Sequence, residues 1–294
     1  MVHLTGTYSD VDRSPDPVGA AEWMDTMCDW PFIRAYKERT VDLLQVKPGA
    51  RLLDVGCGTG HDTRALAVTA GSDGIAIGVD ASAVMLKTAR TRGGSYLQAD
   101  ARALPYEDGA FDGTRIDRVL QHVPGPEDAV HEIARVTRPG GRVVAIDPDQ
   151  ETLVADVSDP GLLRKVKDFR RDRNLCNGTI GRQLPRLFRR AGLSDVECEA
   201  ATLVLTDPRD AFGFMTWPRL MHAEGLLADD DIARWEADID ASVAAGEFFY
   251  AVTFFITSGS KPYAGPEPHP LSAGERSKSD LFAAENGEAG GAAR

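Results

Sequence analysis

The chain is short of cysteine, of positive charge and of long apolar runs, and each shortage removes a class of function. Four cysteines occur in 294 residues, Cys28, Cys57, Cys176 and Cys198, with no C-x-x-C pair. That spacing offers neither a disulfide framework nor a zinc-ligand set, so free thiols in a reducing compartment and no metal site are expected. Lysine and arginine number 33 against 45 acids, a formal charge of −12. A surface that follows a nucleic-acid backbone carries a basic excess, so no nucleic-acid partner is expected. No run approaches the roughly 18 apolar residues of a membrane span. Met1 to Pro17 holds polar and acidic residues where a signal peptide needs an apolar core. A cytoplasmic protein without a membrane partner is the expectation. The hydrophobic content of 43% supports a real core. Nothing in the sequence speaks to oligomeric state.

What the chain does hold is an apolar run that breaks into alternating glycines, Leu52-Leu53-Asp54-Val55-Gly56-Cys57-Gly58-Thr59-Gly60. A helix-like segment with Leu66 and Ala67 follows. This reads as a buried strand, a tight turn and a helix start, a geometry that brings backbone close to a ligand. The dinucleotide fingerprint G-x-G-x-x-G places its third glycine three positions after the second. His61 stands there, and the third glycine comes early at Gly60. The spacing therefore disfavours a nicotinamide-type oxidoreductase.

Beyond the turn, strands and helices alternate. Strands are predicted at 51–55, 75–79, 96–98, 111–116 and 142–146. Helices are predicted at 60–70, at 82–91 with Ser82 as N-cap, and from Pro126. This alternation implies a doubly wound parallel sheet. Ahead of it, residues 21–45 look helical, divided at Pro31. After it, the periodicity predicts helices at 162–173 and 181–191, strands at 196–205 and 248–257, and a helical stretch over 207–246. Past Pro262 the composition turns to Pro, Gly, Ala, Ser and Glu, and disorder is expected over 264–294.

Acidic residues close several strands in order. Val79-Asp80-Ala81-Ser82, Gln98-Ala99-Asp100-Ala101, Phe111-Asp112, Leu120-Gln121-His122-Val123 and Arg138-Pro139-Gly140-Gly141 follow the glycine turn. As a set, residues 50–147 resemble the class I S-adenosylmethionine-dependent methyltransferases, in particular the small-molecule enzymes related to the ubiquinone and menaquinone methylases. The resemblance implies an α/β, Rossmann-like sheet of seven strands in the order 3-2-1-4-5-7-6, strand seven antiparallel, with a helical lid and insertion. It implies S-adenosyl-L-methionine as cofactor and S-adenosyl-L-homocysteine as product. Asp54 would accept from the ammonium group, with Gly56, Cys57 and Gly58 in the turn beneath. Asp80 would accept from the ribose, with Ala81 beside it. Met85 would pack on the adenine, Asp100 and the Ala101 N–H would meet its edge, and Asp117 would lie beside the methionine end. Arg34 would meet the cofactor carboxylate. Two departures stand out: Gln121-His122 replaces the His-His of many relatives, and Arg115 interrupts a strand that should be buried on both faces.

Methyl transfer from a sulfonium needs chiefly alignment of the acceptor, and a base where the acceptor must lose a proton. His122, Asp147 and Asp149 are the candidate bases. Each has a plainer reading, His122 as a packed imidazole and the two acids as a Pro-spaced turn. His222 reads as solvent-facing. The basic run Arg164 to Arg173 is either a solvated face or a receiver for a phosphate or carboxylate on the acceptor, with Asn177 and Arg182 toward the same cleft. Residues 1–45 are expected to form a lid, and 46–263 the transferase domain. Within them, 8–36 and 207–250 (with Trp23, Trp30, Phe212, Phe214, Trp217, Phe248, Phe249 and Tyr250) would enclose a small, apolar or cyclic acceptor. The alternative within the same fold is a binding protein that does not methylate.

Overall fold

Five strands whose apolar residues face both ways build the first part of the sheet. They are β1 (Arg51–Val55), β2 (Ile75–Asp80), β3 (Ser95–Gln98), β4 (Phe111–Asp117) and β5 (Thr137–Ala155). β6 (Ser194–Leu205) and β7 (Tyr250–Ser260) complete the order β3-β2-β1-β4-β5-β7-β6. The first five pair in parallel, and β7 runs antiparallel to both β5 and β6. This is the seven-strand order expected from the sequence. The computed structural model describes residues 8–208 and 213–263. Phe212 and the stretch 264–294 lie outside the described residues.

The strand period of two separates two cores. Leu52, Val144 and Ile146 turn to one face, against Ile33, Leu44, Val166 and Trp217. Leu53, Val55, Val143 and Ala145 turn to the other, against Val130, Ile133, Leu184 and Phe188. The helices that cover these faces are α1 (Pro17–Cys28), α2 (Pro31–Leu44), α3 (His61–Ala70), α4 (Ala83–Thr91), α5 (Pro126–Val136), α6 (Pro160–Phe169), α7 (Ile180–Arg190), α8 (Trp217–Ala223) and α9 (Asp229–Ala245). Pro31 opens α2, and Ser82 caps α4 by accepting from Met85 N at 3.1 Å.

Two elements depart from the sequence reading. β5 is 19 residues long rather than five. Its first residues pair with β4 through a register shift at Phe111/Gly113, and its last pair with β7 after an irregularity between Asp149 and Val154. The Pro139-Gly140-Gly141 signal marks that irregular start rather than a helix end, because α5 already stops at Val136. The predicted helix 162–173 ends at Phe169 and gives way to a wider π turn over Arg170–Asn174. Among the described residues of the helical stretch 207–246 lie two helices, α8 and α9.

Candidate active site

The glycine turn works through its backbone. Gly56, Gly58 and Gly60 have φ of +69°, +52° and +75°. A side chain at Gly56 would put a Cβ 2.1 Å from Val119 Cγ2, and one at Gly58 would lie 2.4 Å from Met24 Sδ. Only glycine combines that conformation with that closeness. The turn is held by Asp80, which accepts from Gly58 N and from Ser82 N, both at 2.8 Å. Burial raises the Asp80 carboxyl against these stabilising bonds.

A cavity of about 280 Å³ opens over this turn at the carboxyl ends of β1, β2 and β4. Gly56, Cys57, Asp80, Ala81, Met85, Asp100, Ala101, Asp117 and His122 line it. At its β3 end Asp100 pairs with Arg102, Oδ2 to Nη2 at 2.6 Å. The side near α1 is bounded by Trp23, Met24, Met27 and Cys28. Trp23 meets Trp30 edge-on, with ring centroids 5.7 Å apart. The far end is formed by Tyr8, Gln121, Gln150, Arg170, Trp217, Tyr250 and Phe254.

The segment before α2 is tied across this opening. Asp12 accepts from Ser82 Oγ, from Ala83 N at 2.8 Å and from Val84 N at 3.2 Å, at the start of α4. Partial burial opposes the charge, but these bonds hold its carboxyl below the ordinary value. Asp25 on α1 accepts from Thr59 Oγ1 in the glycine turn at 2.6 Å and pairs with Arg92 at the end of α4. The Tyr8 ring lies 5.9 Å from the His122 ring.

Asp54 and Gly58 do not line the cavity. Asp54 sits behind its wall, accepting from Thr63 Oγ1 at 2.7 Å and from Arg115 at 3.3 Å. Arg115 is the centre of a buried charge cluster. Its guanidinium also reaches Asp62 at 2.9 Å, Asp117 at 2.8 Å and Thr40 Oγ1 at 2.8 Å. Lys37 pairs with Asp62 and with Asp117, and Arg118 pairs with Asp117 at 3.3 Å. Three carboxylates thus meet three cations, which is how charge is tolerated out of water. Burial opposes ionisation of Asp62 and Asp117, but Arg115 and Lys37 bring both below the usual carboxylate range. Burial raises the deeper Asp54.

Arg34 is exposed on α2 and does not line the cavity. The guanidinium that does so beside Asp117 belongs to Arg118, a residue in the left-handed region at φ +56°. Arg118, Asp62 and Lys37 were not legible as site residues. The one signal was Arg115, an arginine in a strand that should be apolar.

Of the candidate bases, His122 alone faces the cavity. Burial, with Arg170 and Arg118 nearby, drops its imidazole to about 3, so it is neutral, and its Nδ1 has no hydrogen-bond partner. Asp147 and Asp149 stand behind the wall. Asp147 accepts from Leu120 N at 3.2 Å and Gln121 N at 3.3 Å, and burial raises it well above the ordinary carboxylate value. Asp149 is clasped by Arg182, whose Nη2 donates at 2.9 Å. Asn177 donates to Leu120 O and Val123 O, bracing the turn that carries His122. These polar groups shape the cavity edge from outside. His222 pairs with Asp229 at an exposed corner, 2.6 Å away. Among the described residues no cluster of His, Cys, Asp or Glu is arranged to hold a metal, and no helix is long and apolar enough to cross a membrane.

Residues 53–145 match the methyltransferase-domain family model. An uncharacterised 37.1 kDa protein of transposon Tn4556 from Streptomyces fradiae is 36% identical over 264 residues, which is 87% of this chain and 74% of that protein. A demethylmenaquinone methyltransferase from Desulfitobacterium hafniense is 34% identical over 138 residues, spanning 44% of this chain and 54% of the enzyme. The chain belongs to the class I S-adenosylmethionine-dependent methyltransferases. The YcgJ protein of Bacillus subtilis superposes with a TM-score of 0.54 at 18% identity, covering 78% of this chain and 99% of YcgJ, a likeness of fold. The family match runs from β1 into β5. The end of the cavity lined by Arg170, Trp217 and Tyr250 lies beyond it.

Proposed function

We propose that this chain transfers the methyl group of S-adenosylmethionine to a small organic acceptor held at the Trp217 end of the cavity. One observation carries the reading: a single cavity joins the Asp80-braced glycine turn to a chamber walled by Tyr8, His122, Trp217 and Tyr250. The residues present fit the cofactor. Both Asp80 oxygens, each bonded to one backbone N–H, retain a lone pair for a ribose hydroxyl. Met85 and Ala101 offer apolar surface for the adenine, and Asp100 an acceptor for its amine. Asp62, Asp117 and Arg118 would meet the charged methionine end, with Asp54 acting through the Arg115 cluster behind them. When bound, the sulfonium supplies an already activated methyl group.

The chain's own work is then alignment and exclusion of water. The segment 8–28 acts as a lid, and 213–250 as the far wall. His122, neutral with Nδ1 free, accepts a hydrogen bond from the acceptor's hydroxyl or amine and fixes its lone pair. Asp147 holds the backbone beside it, at Leu120 and Gln121, as a positioning residue, while Asp149 ties Arg182 and Glu151 N behind the wall. Calorimetric titration of the full chain with S-adenosylmethionine, S-adenosylhomocysteine and NAD tests the reading. Binding of both adenosyl ligands and not NAD is the expected result. Failure of both adenosyl ligands to bind would sink it. Transfer of a labelled methyl group into an acceptor panel then separates a transferase from a binding protein.

A further inference from the structure

Four buried, unpartnered polar atoms belong to residues that line the cavity: Gln121 Oε1, His122 Nδ1, Gln150 Oε1 and Arg170 Nε. Arg170 is the charged member of that set. It opens the π turn after α6, a form of backbone often found where a helix is bent to serve a site. Its neighbour Arg171 is matched by Glu151, Asp168 and Asp172. Arg118, further along the cavity, is matched by Asp117. Arg170 has only the neutral Asn174 Oδ1 as a hydrogen-bond acceptor and no paired carboxylate among the described residues. Its guanidinium carbon lies over the Trp217 ring, 4.8 Å from the centroid. Burial lowers it to about 10, which leaves it a cation at neutral pH.

A cation in a poorly solvated site without a counter-ion is costly. The cost is removed when a ligand brings the counter-ion. A guanidinium stacked on an aromatic face leaves its edge for a planar, two-oxygen anion. Trp217 and Tyr250 beside it suit a flat ring. We propose that Arg170 receives a carboxylate on the methyl acceptor, an aromatic organic acid whose ring lies against Trp217 and Tyr250. Gln121 Oε1 and Gln150 Oε1 accept from its hydroxyl or amine groups. This rests on the methyl-transfer reading of the same cavity and assigns the acceptor its charge.

Benzoate and benzamide, equal in shape and different in charge, are the probes. Their binding to the full chain is followed by ligand-observed NMR titration, with and without saturating S-adenosylhomocysteine. Benzoate should bind at least 10-fold more tightly than benzamide. R170Q should erase that preference, and R170K should keep part of it. R170Q should bind S-adenosylhomocysteine as the parent does, which shows that it is folded. Equal binding of the two probes, binding of neither, or a benzoate preference that survives in R170Q overturns the assignment. If R170Q does not fold, the comparison in the parent chain decides alone. Failure of S-adenosylhomocysteine to bind refutes the methyl-transfer reading instead, and the benzoate arm without it still judges Arg170.

Discussion

Arg115 reaches across from β4 to Asp54 on β1, with 3.3 Å between Nη1 and Oδ1, and the two side chains are 1% and 2% exposed. The parallel register sets Asp54 beside Arg115, so the pair is built into the strand alignment. Through Asp62 and Asp117 the same guanidinium extends to residues that line the cavity. Stability and the charged wall of the cavity are therefore linked at one side chain. R115M leaves three carboxylates against Lys37 and Arg118 alone. Breaking one member of a buried pair costs about 3–5 kcal/mol, and a loss of that size in urea unfolding is expected. R115M/D54N should recover part of it, because the deepest orphaned charge is gone. A double variant no more stable than R115M would show that the loss falls on Asp62 and Asp117 alone.

Asp147 gives a pH dependence of definite sign. Burial raises its folded-state pKa, so the native chain keeps a proton that the unfolded chain has released. Where the native state binds more protons, stability falls as pH rises from the unfolded value near 4 toward the raised one. D147N carries no such titration. Its urea midpoint relative to the parent should therefore improve between pH 4 and pH 8, by about 1.4 kcal/mol for each unit of elevation. A difference that does not change with pH would mean that the carboxylate is ionised in the fold.

The sheet was legible because its signals are local. Strand runs at 51–55 and 75–79, the glycine turn and the Ser82 cap each need only their neighbours in sequence. The resemblance then supplied the strand order. The cavity's charged wall was less legible because its pairs join residues far apart, such as Lys37 with Asp62 and Arg115 with Asp54. Asp54 and Asp117 look alike in sequence, each closing a strand. One is sealed behind the wall and the other is on it, since Thr63 and Arg115 cover Asp54. The basic run 164–173 hid a similar split. Arg171 pairs outward with acids, while the π turn carries Arg170 to the cavity, a backbone change that hydrophobic periodicity does not report.

Asp80 should set affinity for the nucleoside part of the cofactor without distinguishing the donor from its product. D80N keeps one acceptor for Gly58 N or Ser82 N and loses the charge. Hydrogen bonds to charged groups are worth about 1.5–3 kcal/mol, so both S-adenosylmethionine and S-adenosylhomocysteine should weaken roughly 10- to 100-fold. The ratio of their dissociation constants, read by calorimetry, should not move. A change confined to one ligand would put Asp80 near the sulfonium rather than the ribose.

Asp12 is the clasp of the segment before α2, since three donors at the start of α4 converge on it. Loss of such a cap costs about 0.5–2 kcal/mol, enough to raise the opened population several-fold. D12A should be cut faster by thermolysin within residues 8–28 and should release S-adenosylhomocysteine faster. If the cofactor gives no protection to this segment in the parent chain, the segment is not a lid.

His122 should remain neutral throughout the working pH range. Its imidazole is held at about 3 by burial and by Arg170 and Arg118, far below the ordinary value near 6.5. Such a group is a weak proton acceptor, so the contribution expected under the methyl-transfer proposal is alignment rather than full deprotonation. Nitrogen-resolved NMR of the imidazole should show no titration of His122 between pH 5 and pH 8. H122F keeps the packing against Tyr8 and removes the acceptor atom. It should lower kcat while leaving S-adenosylmethionine affinity near the parent value, and the pH profile should keep its shape. A rate limb near pH 6.5 that H122F abolishes would instead make His122 a titrating base.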